Sequence, residues 1–61
     1  MYLVIFYESY VGYHVDEYSK VFSIEKDAKK YAKKLNAKFA KANMCRVKDL
    51  GDYYIVEKIL S

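Results

Sequence analysis

The sequence predicts an α+β fold: a ββαββ antiparallel sheet with one amphipathic helix packed on one face, in a single domain over residues 1–61. Three observations predict it. The opening run Tyr2–Tyr7 is rich in β-branched and aromatic side chains and too short for a free-standing helix. A helical period of apolar residues fills the middle of the chain. A second strand-like run, Tyr53–Leu60, closes it. A chain of 61 residues buries only roughly 60% of its unfolded surface, which leaves room for one core and no second domain.

Each element has its own signals. After the first strand, Glu8–Tyr18 mixes polar residues with Tyr10, Tyr13 and Tyr18, and Gly12 is suited to the positive φ of a bend. Val11-Gly12 is a poor two-residue hairpin turn, so a longer or bulged connection is expected before a second strand at about Tyr18–Phe22. Ser23 stands as the expected N-cap, with Glu25 and Asp27 placed to complement the helix dipole. At 100° per residue Ile24, Ala28, Tyr31, Ala32, Leu35, Phe39 and Ala42 fall in a stripe roughly 100° wide. Lysines occupy the rest of the surface, with Lys38 near the stripe's edge. Asn43 is the expected helix end, and Asn36-Ala37 offers an earlier stop. Met44–Lys48 reads as a third strand, followed by a turn at Asp49-Leu50-Gly51-Asp52 in which Gly51 is free to take positive φ, and then by the last strand.

Composition excludes several function classes. One Cys rules out an internal disulfide framework, and no Cys/His cluster offers a metal staple, so stability must come from packing. No stretch approaches the ~20 apolar residues of a membrane span, and the start lacks the basic region and cleavage site of a signal peptide. A cytoplasmic location without membrane contact is expected. His14 with Asp16 and Glu17 can be drawn as a metal or acid–base cluster, but a surface loop is the simpler reading. Asp49 and Asp52 read as turn chemistry, and Cys45 as a small buried hydrophobe. No catalytic residue, metal site or cofactor is expected, and the chain is read as a non-enzyme.

Successive strand residues point to opposite faces, so a single helix covers only one set. In the first strand both sets are apolar: Leu3, Ile5 and Tyr7 on one side, Tyr2, Val4 and Phe6 on the other. The last strand repeats this with Tyr53, Ile55 and Ile59 against Tyr54, Val56 and Leu60. Either tyrosine hydroxyls and the stems of Lys48 and Lys58 make the outer face tolerable, or it meets another protein. The expected partners are a second copy of the chain, giving a homodimer, and a protein target. Tyr7, Tyr10, Tyr13 and Tyr18 crowd the first hairpin and are the candidate partner-binding residues, since tyrosine gives large contact area at low entropic cost. Tyr31 belongs to the helix stripe, and Tyr2 and Tyr54 are further core candidates. The alternative is a nucleic-acid-binding module that uses the lysine-rich helix face, with Lys26, Lys30, Lys33 and Lys41 on the phosphates. A net charge of +3 and a single arginine, Arg46, fit a plain solvated helix face as well.

The stretch Val21-Phe22-Ser23-Ile24-Glu25-Lys26-Asp27-Ala28-Lys29-Lys30-Tyr31-Ala32, behind an opening strand and a tyrosine-rich hairpin, resembles very small phage and mobile-element accessory proteins of the anti-defence, anti-CRISPR-like kind. The resemblance covers about half the chain. It implies a stoichiometric inhibitor in the host cytoplasm that occludes a defence enzyme or its ligand site, and it carries over no functional residue.

Overall fold

The computed structural model describes residues 1–59 and has the order β1 (Tyr2–Glu8), β2 (Gly12–His14), β3 (Lys20–Phe22), α1 (Glu25–Ala42), a 3-10 turn (Val47–Asp49) and β4 (Tyr53–Lys58). The chain is α+β, with one helix against a four-stranded antiparallel sheet. Leu60, expected in the last strand, lies outside the described residues.

β1 is the centre of the sheet. On one edge β4 pairs with it from Tyr2↔Lys58 to Tyr7↔Tyr53. On the other edge β2 pairs with one end of β1 (Phe6↔His14, Glu8↔Gly12) and β3 with the opposite end (Tyr2↔Phe22, Val4↔Lys20). The register jumps by four residues between them, so β2 and β3 are one strand interrupted by the loop at 15–19. The second strand expected at Tyr18–Phe22 is thus split, and it begins earlier, at Gly12. Gly12 supplies the bend at φ 92°, and the Val11 N–H donates to the Glu8 carbonyl at 3.2 Å. β3 and β4 both run antiparallel to β1 and therefore parallel to each other, and α1 crosses from one edge of the sheet to the other as a split β-α-β unit.

Met44–Lys48 is not a strand. Its N-terminal end is consumed by the helix terminus: Met44 takes φ 55°, its N–H reaches the Lys41 carbonyl at 3.1 Å, and the Cys45 N–H reaches the Ala40 carbonyl at 3.0 Å. This is a Schellman closure with methionine in the left-handed position where glycine is usual. Val47–Asp49 then coils into the 3-10 turn, with Arg46 Nε 3.4 Å from Asp49 Oδ2. Gly51 does not take positive φ; among the described residues only Gly12 and Met44 do. Cys45 is exposed, not buried, because the helix cap turns it outward. Asp52 bonds across the molecule and not within its own turn: its Oδ1 accepts the Ser9 N–H at 3.0 Å, tying the 49–52 segment to the β1–β2 hairpin.

The expected N-cap moves by one residue. Ile24 precedes the first helical turn with extended backbone and no side-chain cap bond, so Ser23 does not cap α1. Glu25 and Asp27 do occupy the first turn.

Val4, Ala28, Ala32 and Tyr54 are the buried centre, with Tyr2, Phe6, Phe22, Tyr31, Leu35 and Val56 packed around it. Alanines at the contact let α1 approach the sheet closely, and the even-numbered residues of β1 fill the space. The ends of the expected stripe differ. Ile24 is exposed because it precedes the helix, Ala42 because the chain turns away there, and Ala40 is buried in their place.

Asn36 does not stop the helix. Its side chain reaches the free edge of β4, where Oδ1 accepts the Tyr54 N–H at 2.6 Å and Nδ2 donates to the Tyr54 carbonyl at 2.8 Å. One amide thus satisfies both backbone groups of an edge-strand residue that has no neighbouring strand there.

Candidate binding surfaces

Directly opposed residues of an antiparallel pair share a face. The observed registers therefore collect Leu3 with Val21, Ile5 with Ile55, and Tyr7 with Tyr13 and Tyr53 on the side of the sheet away from α1. Nothing among the described residues lies over this side. Val21 is 44% exposed, Tyr13 58% and Tyr53 37%. The Tyr7 ring sits between Tyr13, 5.1 Å away centroid to centroid, and Tyr53, 5.3 Å away. These separations give tilted aromatic contacts that hold the three rings as a group.

Charge is sorted between the two sides. Glu57, opposite Leu3, is the charged residue on the open face, whereas Lys20 and Lys58 pair with Val4 and Tyr2 on the helix side. The stem of Lys58 therefore does not screen the open face as the monomer reading required. With strands rising ~3.3 Å per residue and lying ~4.8 Å apart, seven residues by three strands gives roughly 300 Å² of projected, mostly apolar surface. That is at the lower end of the range for the largest patch on an ordinary monomer, and such patches are often functional.

The four candidate tyrosines do not form one site. Tyr7 and Tyr13 meet on the open face, joined by Tyr53. Tyr10 sits at the tip of the β1–β2 hairpin and is 97% exposed. Tyr18 lies on the opposite side of the molecule, in the 15–19 loop against α1, half exposed.

That loop is built on Asp16. The carboxylate accepts the Tyr18 N–H at 2.9 Å, the Ser19 hydroxyl at 3.2 Å and the Tyr54 hydroxyl at 2.6 Å. The Asp16 N–H in turn donates to Ser19 Oγ at 3.0 Å. Partial burial by itself pushes the Asp16 carboxyl up, but the hydrogen bonds from Tyr54, Tyr18 and Ser19 together outweigh it and hold the group below its ordinary value of 3.8. Burial first, and then the bond to Asp16 and its charge, push the Tyr54 hydroxyl well above the ordinary tyrosine range. Asp16 is thus a structural hub that folds the strand interruption onto the core.

His14 does not share a site with Asp16, and it is not in a surface loop. It stands in β2 opposite Phe6, its ring edge-on at 5.3 Å, with Nε2 3.2 Å from Glu8 Oε2. Among the described residues no three His, Cys, Asp or Glu side chains are placed to share a metal ion, and no helix is long and apolar enough to cross a membrane.

Between α1 and the 15–19 loop runs a groove of about 380 Å³. Tyr18, Tyr31, Phe39 and Tyr54 contribute its rings, and Lys34 and Lys38 stand on its helical rim. The Tyr31 hydroxyl donates to the Tyr18 carbonyl at 2.8 Å and closes one end. Lys20 Nζ lies 5.8 Å from the Tyr31 centroid and 5.5 Å from that of Phe22. Lys26, Lys30, Lys33 and Lys41 are all exposed on α1. By helical position Lys30 falls on the groove side beside Tyr31 and Lys34, while Lys26 and Lys33 lie further round the outer surface.

The sequence places Tyr53 on one face of the last strand but marks neither it nor Val21 as a binding residue; it does not mark Lys34 and Lys38 for the groove, and Asp16 and Asn36, which organise the scaffold, read in it as loop and helix-end residues. For Asn36 a signal was present. It follows Ala28 and Ala32 at four-residue spacing, so it shares their buried face, where a polar side chain needs a partner.

Comparison with known protein families, with curated proteins and with solved structures gives no match to this chain.

Proposed function

We propose that this chain is a small non-enzymatic binding protein that pairs through its open sheet face as a homodimer and acts on a protein target by steric occlusion. The observation that supports it is the set on the open side of the sheet, Tyr13, Val21 and Tyr53 exposed and Leu3, Ile5, Tyr7 and Ile55 half-buried, free of lysine, in a chain whose single helix covers the other side. Two faces of roughly 300 Å² bury about 600 Å² in all, less than the ~1,200 Å² at which stable interfaces begin, so the pair is a weak one that forms as concentration rises. Pairing face to face leaves α1 and the hairpin tip of each copy outward. The almost fully exposed Tyr10 is then the aromatic anchor offered to the target. A host-defence enzyme as that target belongs to the same proposal and rests on the sequence resemblance.

Sedimentation equilibrium across the micromolar range tests the pairing. The 7.2 kDa chain is expected to move toward twice its mass as concentration rises, and Val21→Lys, which alters an already exposed side chain, is expected to stay monomeric. A wild-type chain that remains monomeric throughout overturns the proposal. Affinity capture on wild type and on Tyr10→Ala tests the target contact: a host protein held by the first and lost by the second is the expected result.

A further inference from the structure

The groove on the helix side plays no part in that pairing, and its chemistry is different. Lys30, Lys34 and Lys38 follow one another at four-residue intervals along α1, so their attachment points rise about 6 Å each and form one oblique row. All three are exposed, and none of them is in an ion pair among the described residues. An extended single strand of nucleic acid repeats its phosphates at a comparable spacing. Beside the row lies the aromatic groove, with Tyr18 half exposed at its mouth and Phe39 and Tyr31 within.

We infer that this groove binds single-stranded nucleic acid without sequence preference, its phosphates on Lys30, Lys34 and Lys38 and a base stacked on Tyr18. A cationic track beside ring faces is the arrangement by which sequence-tolerant single-strand binders work, because every base has a π-face. The groove presents point-charge ammonium groups, which suit phosphate, and no guanidinium to fork a carboxylate; Arg46 lies beyond the far end of α1. An acidic peptide is therefore the less suited occupant. Two carboxylates stand near the row: Asp16, behind the groove, already accepts hydrogen bonds from Tyr54, Tyr18 and Ser19, and Asp27 lies beside Lys30 and Lys34, so Lys34 and Lys38, which line the groove itself, hold phosphate more strongly than Lys30.

Fluorescence anisotropy with a labelled oligothymidine tests this. Binding is expected at low salt, with log K falling against log salt at a slope of about −2, the value for three phosphate contacts on a single strand. Tyr18→Ala is expected to weaken binding about tenfold or more, since the backbone carbonyl that holds Tyr31 remains. Lys34→Gln with Lys38→Gln should weaken it further and flatten the slope, while Lys26→Gln with Lys33→Gln should leave it within about twofold. Circular dichroism confirms that each variant is folded. No binding at low salt overturns the inference. So does loss on Lys26 and Lys33 substitution with Tyr18 and Lys34 indifferent, which places phosphate on the outer face. Displacement of the oligonucleotide by polyglutamate as readily as by unlabelled oligothymidine also overturns it, by showing that the groove reads charge alone.

Discussion

Replacing Asn36 by Ala removes the clamp on β4 and should be among the most damaging single polar substitutions in the chain. Two hydrogen bonds disappear, at 2.6 and 2.8 Å, and each is worth ~0.5–1.5 kcal/mol net. Tyr54 is 8% exposed, so its N–H and carbonyl are poorly placed to recover both bonds from water. Alanine returns up to about 0.7 kcal/mol through better helix propensity. The balance is a loss of about 1–2 kcal/mol, which in a domain of this size lowers the melting temperature by roughly 5–15 °C. Thermal unfolding followed by far-UV circular dichroism measures it, and hydrogen exchange locates it. The Tyr54 amide should lose protection, while Ile55 and Glu57, whose amides face β1, keep theirs. Asn36→Asp separates clamp from packing. Ionised, it still accepts the Tyr54 N–H but sets its second oxygen against the Tyr54 carbonyl, so it should recover little of the clamp at neutral pH. Protonated below about pH 4, it regains a donor and should close part of the gap to wild type at the same pH. A melting temperature for Asn36→Ala within about 2 °C of wild type, with the Tyr54 amide still protected, refutes the reasoning.

Asp16 gives the fold an acid limb. Its folded value lies below the ordinary 3.8, so its contribution is complete above that pH and is lost as pH falls through the folded value. Tyr54→Phe keeps the ring but removes one of the hydrogen bonds to this carboxylate; it should cost about 1 kcal/mol at neutral pH and make the acid limb shallower in a pH series of urea unfolding curves. The Tyr54 hydroxyl is raised in the folded state, so its contribution is complete below the ordinary 10.0 and fades as pH rises above that. Met44→Gly should stabilise the chain by about 0.5–1 kcal/mol, because the φ of 55° suits glycine and the methionine side chain, 94% exposed, packs against little. Its melting temperature, compared with wild type, checks this; an unchanged or lower value counts against the strained cap.

The parts of the fold legible in the sequence were those specified locally. Tyr2–Tyr7 is a strand and Ala28-Tyr31-Ala32-Leu35 a helix face by periodicity alone, and the apolar character of both sets in β1 announced an uncovered side. The split of the second strand was not legible, because it depends on Asp16 meeting Tyr54, thirty-eight residues away. Without that contact His14 and Asp16 look like neighbours in one loop; with it, His14 is held in β2 and Asp16 is folded into a turn. Met44–Lys48 has strand composition, but the last carbonyls of α1 needed closing, and the backbone of Met44 and Cys45 met that need first. The candidate tyrosines shared a short stretch of sequence, yet the hairpin and the split strand sent them to three places. Pairing register, which composition does not reveal, decided that Tyr53 and not Tyr10 or Tyr18 would join Tyr7 and Tyr13.

The claim that most needs testing is that the side of the sheet opposite α1 is an interface. A dilution series of two-dimensional NMR spectra on the labelled protein addresses it residue by residue. The methyl and amide signals of Leu3, Ile5, Val21 and Ile55 should shift together with concentration, while the amide signals of Lys26 and Lys33 on the outer surface of α1 stay fixed. Signals on the sheet that do not move with concentration, or shifts confined to the helix, would contradict the account.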